Sequence, residues 1–145
     1  MSLIFTDPNS AGPFSTFQVK DVIVKVFKLT FANFSTSGVN TLIGALPADA
    51  SILDLRYWKK TAFSGNSISA ATLSIGASSA GTDFVNAFDI HTPAAGTNAS
   101  ITPVTGILQP YQVPLGGEIQ LWANGTATTG NPTAGEVYVV VKYVR

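Results

Sequence analysis

Few side chains in this sequence are equipped to do chemistry, and their spacing decides what that chemistry would be. There is one histidine, His91, no cysteine, and only two glutamates, Glu118 and Glu136. Any Ser-His-Asp triad must therefore run through His91, and no nucleophile-elbow pattern brings a serine to it. Without cysteine, disulfides and thiolate metal sites are excluded. Asp89 and His91 stand two residues apart, so they share one side of an extended segment, and Asp83 is nearby. Those three residues would suit a hard-cation or mixed metal site. The competing reading is a polar loop whose side chains cap local backbone, and it is preferred because no further ligand stands at a motif spacing. Glu118 and Glu136 each follow a glycine at a predicted strand start, whereas a glycosidase pair must face across a cleft. The expectation is no enzymatic activity, no metal, no cofactor and no small-molecule ligand.

Binding chemistry is better represented. Arg56, Trp58 and Lys60 alternate along one segment, with Lys59 adjacent, and place an aromatic among cations on one strand face. Trp and Arg dominate protein–protein hot spots, which makes these three candidate contacts. The plainer reading is a half-buried Trp covered by long side chains. Leu3, Ile4 and Phe5 form an apolar tip near the N-terminus and are the other candidate contacts. Tyr111, Trp122, Tyr138 and Tyr143 would suit a sugar-stacking platform if they converged, although such aromatics more often fill a core or a subunit contact.

The charge balance narrows the partners. Eight basic residues offset eight acidic ones, and basic residues never run beyond two together. That is no footprint for nucleic acid, which needs clustered Lys and Arg. Apolar runs are too short for a membrane-spanning helix, and Met1 to Pro8 lacks the basic and apolar regions of a secretory signal, so synthesis in a cytoplasm is expected. Only 11% of residues are charged while 46% are hydrophobic. A surface covered mainly by Ser, Thr, Asn, Ala and Gly, at zero net charge, offers little self-repulsion against association. It suits a subunit packed against neighbours.

The elements that must position these residues read as strands. Residues 1–16, with Pro8, Gly12 and Pro13, read as an extended arm, with a frayed terminus as the alternative, and residues 17–145 as one β-sandwich domain. Over Val19 to Phe31, Val22, Val24 and Val26 alternate with Ile23 and Lys25. The parity then slips to Phe27, Leu29 and Phe31, so a β-bulge is expected near Val26–Phe27. Val39 to Leu46 is a short strand and Pro47 to Ala50 a turn. Ser51 to Phe63 is a long strand, with Leu53, Leu55, Tyr57 and Phe63 on one face and Asp54, Arg56, Trp58 and Lys60 on the other. Ser64 to Ser67 reads as a hairpin loop into Ser69 to Ile75. Asp83 to Ile90 fits a short capped helix or a strand equally, and His91 to Ser100 reads as loop. Ile101 to Ile107 and Tyr111 to Leu115 are proline-broken strand candidates. Glu118 to Ala123 is a strand, Asn124 to Gly135 a polar loop, and the closing strand from Val137 is apolar on both faces, as expected of a central strand or of one whose second face meets another subunit. Short strands at steady intervals describe an all-β fold, an antiparallel β-sandwich of about eight strands with jelly-roll topology leading.

Several stretches resemble one protein type. They are Ala45-Leu46-Pro47-Ala48-Asp49-Ala50, Ile52-Leu53-Asp54, Thr61-Ala62-Phe63, Ala71 to Gly76, and Ala134 to Val141. In that order and spacing the sequence resembles the small trimeric jelly-roll virion proteins of tailed phages, including capsid decoration (cement) proteins. The resemblance implies a homotrimer on the capsid exterior, made in the bacterial host cytoplasm, that stabilises the head by bridging subunits of the major capsid protein. It carries no active site, so no functional residue transfers with it. The alternative expectation is a receptor- or carbohydrate-binding domain of a phage fibre or baseplate.

Overall fold

The computed structural model describes residues 4–6, 16–18, 21–48, 50–101 and 118–144. Eight strands form two four-stranded antiparallel sheets packed as a sandwich. They are β3 (Val22–Thr30), β4 (Val39–Leu46), β5 (Ser51–Ser64), β6 (Ala70–Gly76), β7 (Val85–Asp89), β8 (Thr97–Ser100), β9 (Ile119–Thr128) and β10 (Ala134–Val144). One sheet has the order β3-β10-β5-β8 and the other β4-β9-β6-β7. The first of the eight therefore pairs with the last, the second with the seventh, the third with the sixth, and the middle two with each other. That nesting is a long hairpin rolled up on itself, the jelly roll. Near the N-terminus, β1 (Ile4–Thr6) pairs antiparallel with β2 (Thr16–Gln18) as a separate two-stranded sheet.

Alternation creates the core. The inward rows of β5 and β10 supply Leu55, Tyr57, Phe63, Val137, Val139, Val141 and Tyr143, all buried against Leu46, Ala71, Leu73, Ile75 and Leu121 of the facing sheet. Phe34 closes one end, with its ring edge-on to Phe63 at 4.6 Å between centroids. Strand β10 is central in its sheet, paired with β3 on one side and β5 on the other; its inward row is Val137, Val139, Val141 and Tyr143, and its outward row is Glu136, Tyr138, Val140, Lys142 and Val144.

The bulge expected near Val26–Phe27 is absent. The β3–β10 register runs without a shift from Val22↔Val144 to Thr30↔Glu136. Ile23, Phe27 and Leu29 face the core, and Val22, Val24 and Val26 face outward. The apparent slip came from treating the valines as core residues. Lys25 holds an inward position at the strand edge by turning its Nζ to the Ala45 carbonyl at 2.8 Å, so its stem is covered and its charge bonded. Register irregularities lie instead between β5 and β10, three in all; at one of them Tyr143 pairs with Ile52 and Lys142 with Asp54, leaving Leu53 unmatched. Ile52 is consequently in the core and Leu53 is exposed, reversing the side expected for Leu53.

Other differences share a cause. Ser64 to Ser67 does not make a hairpin, because β5 and β6 lie in different sheets and this loop is a corner between them. Thr97–Ser100, expected as loop, forms β8 by pairing with Arg56 to Lys59. Asn124 to Thr128, also expected as loop, continues β9 because β6 pairs with it as far as Thr128 while β4, up to Gly125, and then Ser35 bond its other edge. Polar composition does not prevent a strand when its ladder is complete on both edges. Asp83 to Ile90 resolves as a strand, β7, with the Asp83 carboxylate accepting from the Ala77 N–H at 2.9 Å. The two proline-broken candidates lie outside the described residues beyond Ile101.

Candidate interaction face

The outer face of the β3-β10-β5-β8 sheet collects the residues with binding character. Register sets its rows. Val24 lies across from Lys142, which lies across from Asp54; Val26 aligns with Val140, Arg56 and Ser100; Lys28 aligns with Tyr138, Trp58 and Asn98. The structure thus brings Arg56, Trp58 and Lys60 onto one outward surface. Leu3 lies outside the described residues, and Ile4 and Phe5 sit in β1.

Trp58 stacks on Tyr138 with 5.3 Å between ring centroids and 23° between planes, and it remains 40% exposed. The Tyr138 hydroxyl donates to Glu136 Oε1 at 2.6 Å. Lys28 Nζ stands 3.1 Å from Glu136 Oε2 and Lys60 Nζ 3.2 Å from Oε1. One carboxylate therefore ties three strands together across the sheet. The Tyr138 hydroxyl bond, followed by the Lys28 bond, holds the Glu136 carboxyl at about 2, and the same contacts raise Lys28 and Tyr138. Arg56 Nε pairs with Asp54 Oδ2 at 2.7 Å. Beside this polar cluster runs an apolar file along edge strand β3: Val22, Val24 and Val26 are 59%, 52% and 58% exposed.

The opposite outer face has another chemistry. Strands β4, β6 and β9 carry no ionisable side chain, and their outward positions hold Asn40, Leu42, Gln120, Trp122, Asn124 and Thr126. The aromatics considered for a sugar platform are dispersed. Tyr143 is in the core, Tyr138 is on one outer face, Trp122 is on the other sheet, and Tyr111 is outside the described residues.

The ionisable loop residues serve the backbone. Asp89 Oδ1 accepts from the His91 N–H at 2.7 Å and the Thr92 N–H at 3.1 Å. Burial by itself would raise the Asp89 carboxyl, but the bonds from Thr92 and His91 outweigh it and the net direction is down. Among the described residues no three His, Asp or Glu side chains are grouped to hold a metal ion. One residue went unread as buried: Lys59 follows the inward parity of Leu55 and Tyr57, is fully enclosed, and donates Nζ to the His91 carbonyl at 2.8 Å. Burial lowers its pKa, partly offset by the charge of Asp89. The inward parity of 55, 57 and 59 was the available signal.

No protein-family model matches this chain, and neither does any curated protein. Solved structures do share its fold. A chain of the cyanophage Pam1 capsid asymmetric unit aligns with a TM-score of 0.63 at 18% identity, covering 95% of this chain and 99% of that one. A chain of the capsid of Ralstonia phage GP4 aligns with a TM-score of 0.56, also at 18% identity, covering 96% of this chain and 88% of that one. At such identity the similarity establishes a common fold.

Proposed function

We propose that this protein is a non-enzymatic structural component of a tailed-phage virion that decorates and cements the head as a homotrimer. The observation that carries this reading is the end-to-end match of the jelly roll to a chain in a phage capsid asymmetric unit, with no large part of either chain left over. The distribution of chemistry supports it. The single histidine lies in a loop whose Asp89 is spent on capping, and the residues with contact character are gathered on a sheet face. A cement protein acts by burying area across several subunits of the major capsid protein, so its effect grows with area and occupancy rather than with catalysis. In this reading residues 1–16 are an arm whose Leu3, Ile4 and Phe5 reach a neighbouring subunit and add valency to each trimer.

Cryo-electron microscopy of purified virions tests the proposal. Density for this jelly roll on the head exterior, in groups of three, is the expected result, and density confined to fibre or baseplate refutes it. Light scattering of the purified chain is expected to return a trimer; a clean monomer at micromolar concentration contradicts the trimeric part. A receptor- or carbohydrate-binding role is the second reading, and the half-exposed Trp58 on its Tyr138 support favours it. Quenching of tryptophan fluorescence by oligosaccharides would select that role.

A further inference from the structure

We infer that the outer face of the β3-β10-β5-β8 sheet docks onto a protein surface that is apolar and carries an excess of carboxylates. The inference rests on the head-attachment reading and specifies the face used and the chemistry of the capsid surface it meets. Its first basis is the valine file. A nine-residue edge strand is ordinarily protected by charge, proline or a bulge. Here β3 runs without a register shift and presents three valines, each more than half exposed, before its one outward cation, Lys28. With Val140 beside Val26, and Trp58 one row further on, this forms a continuous apolar strip, the sort of exposed surface that marks a contact site.

The charges on the same face decide what covers it. Four cations, Lys28, Arg56, Lys60 and Lys142, stand against two carboxylates, Asp54 and Glu136. Both carboxylates are already engaged within the sheet: Glu136 is shared by Tyr138, Lys28 and Lys60, and Asp54 is paired with Arg56. Among the described residues the face therefore has an excess of positive charge and no uncommitted acid. Two copies meeting face to face would set like excess against like, which costs association. A surface with apolar side chains and its own carboxylates matches both features. Trp58 is the anchor, because its stack on Tyr138, itself held by Glu136, orders the indole before contact and lowers the entropy lost on binding.

The test uses phage particles assembled without this chain, to which purified protein is added back and bound protein is measured by sedimentation. Val24→Ser/Val26→Ser is expected to weaken rebinding at least about tenfold, since it removes apolar contact from two exposed positions without touching the core. Lys142→Glu is expected to weaken it several-fold at low salt, with the difference shrinking as salt rises. Melting curves matching the parent show that both variants are folded. Rebinding of both variants at parental strength overturns the inference while leaving head attachment intact. A change in the chain's own association state on Val24→Ser/Val26→Ser also overturns it, because a second copy would then be the occupant. Failure of the parent chain to bind the particles defeats the head-attachment reading itself.

Discussion

Substituting Lys59 separates the packing of its stem from the bonding of its charge. The side chain is fully enclosed, with its three outer methylenes inside the sandwich and Nζ on the His91 carbonyl. Alanine deletes those methylenes, at about 0.8 kcal/mol each, and leaves a cavity that relaxes only in part. A loss of about 3 kcal/mol is expected. Methionine keeps most of the volume. It forfeits a charge-assisted hydrogen bond of about 1.5–3 kcal/mol but removes an ammonium whose enclosure costs several kcal/mol. These effects oppose one another, so Lys59→Met should stay within about 1 kcal/mol of the parent. Urea midpoints at fixed protein concentration measure both variants. If methionine proves as damaging as alanine, the bond to His91 rather than the stem holds this region, and the reasoning is wrong.

The same group has a pH signature with a definite sign. The folded-state pKa of Lys59 lies below its ordinary 10.5, so between the two values the unfolded chain binds more protons than the folded one. Stability from this residue therefore rises as pH climbs through that window. Relative to the parent, Lys59→Met should lack this rise on the alkaline side. A parent and variant that track each other up to pH 10.5 would refute the assignment.

Three further outcomes follow from the geometry. Glu136 is depressed from 4.5 to about 2, so its contribution is present above 4.5 and fades as pH falls towards 2; Glu136→Gln should abolish that acid-side dependence in denaturation curves, and more visibly at low salt. Gly125→Ala should destabilise by about 2 kcal/mol or more in thermal melts, because its methyl group would overlap the Asn33 carbonyl and the Phe34 ring and so force the backbone apart. Val139→Ala, fully buried on central strand β10, should cost about 2–3 kcal/mol in urea unfolding, whereas Val26→Ser on the outer face should change stability by under about 0.5 kcal/mol.

Particular residues show where local reading stops. The outward set of Arg56, Trp58 and Lys60 was legible from alternation, since residues two apart share a face wherever a strand is regular, and Lys60 stays outward although it is unmatched in the β5–β10 register. Its partners were not. Tyr138, Glu136 and Lys28 lie far away in sequence and reach Trp58 through the β3–β10–β5 register, which no short window contains. The valines of β3 misled for the same reason: hydrophobic alternation locates two faces but does not say which is inside. Leu53 and Ile52 exchanged sides because one unmatched residue reverses parity. Asn124 to Thr128 became strand because neighbours on both edges completed its hydrogen bonds.

The all-β class, the antiparallel sandwich of about eight strands and the scarcity of reactive side chains were determined by the amino-acid order alone, through periods of two and the supply of residue types. Pairing order, bulge positions, the enclosure of Lys59 and the joining of valines, stacked aromatics and surplus cations on one face were decided by tertiary structure. The physical reason is that a strand's alternation is a property of its own backbone, while its inside, its neighbours and its register exist only once another strand lies against it.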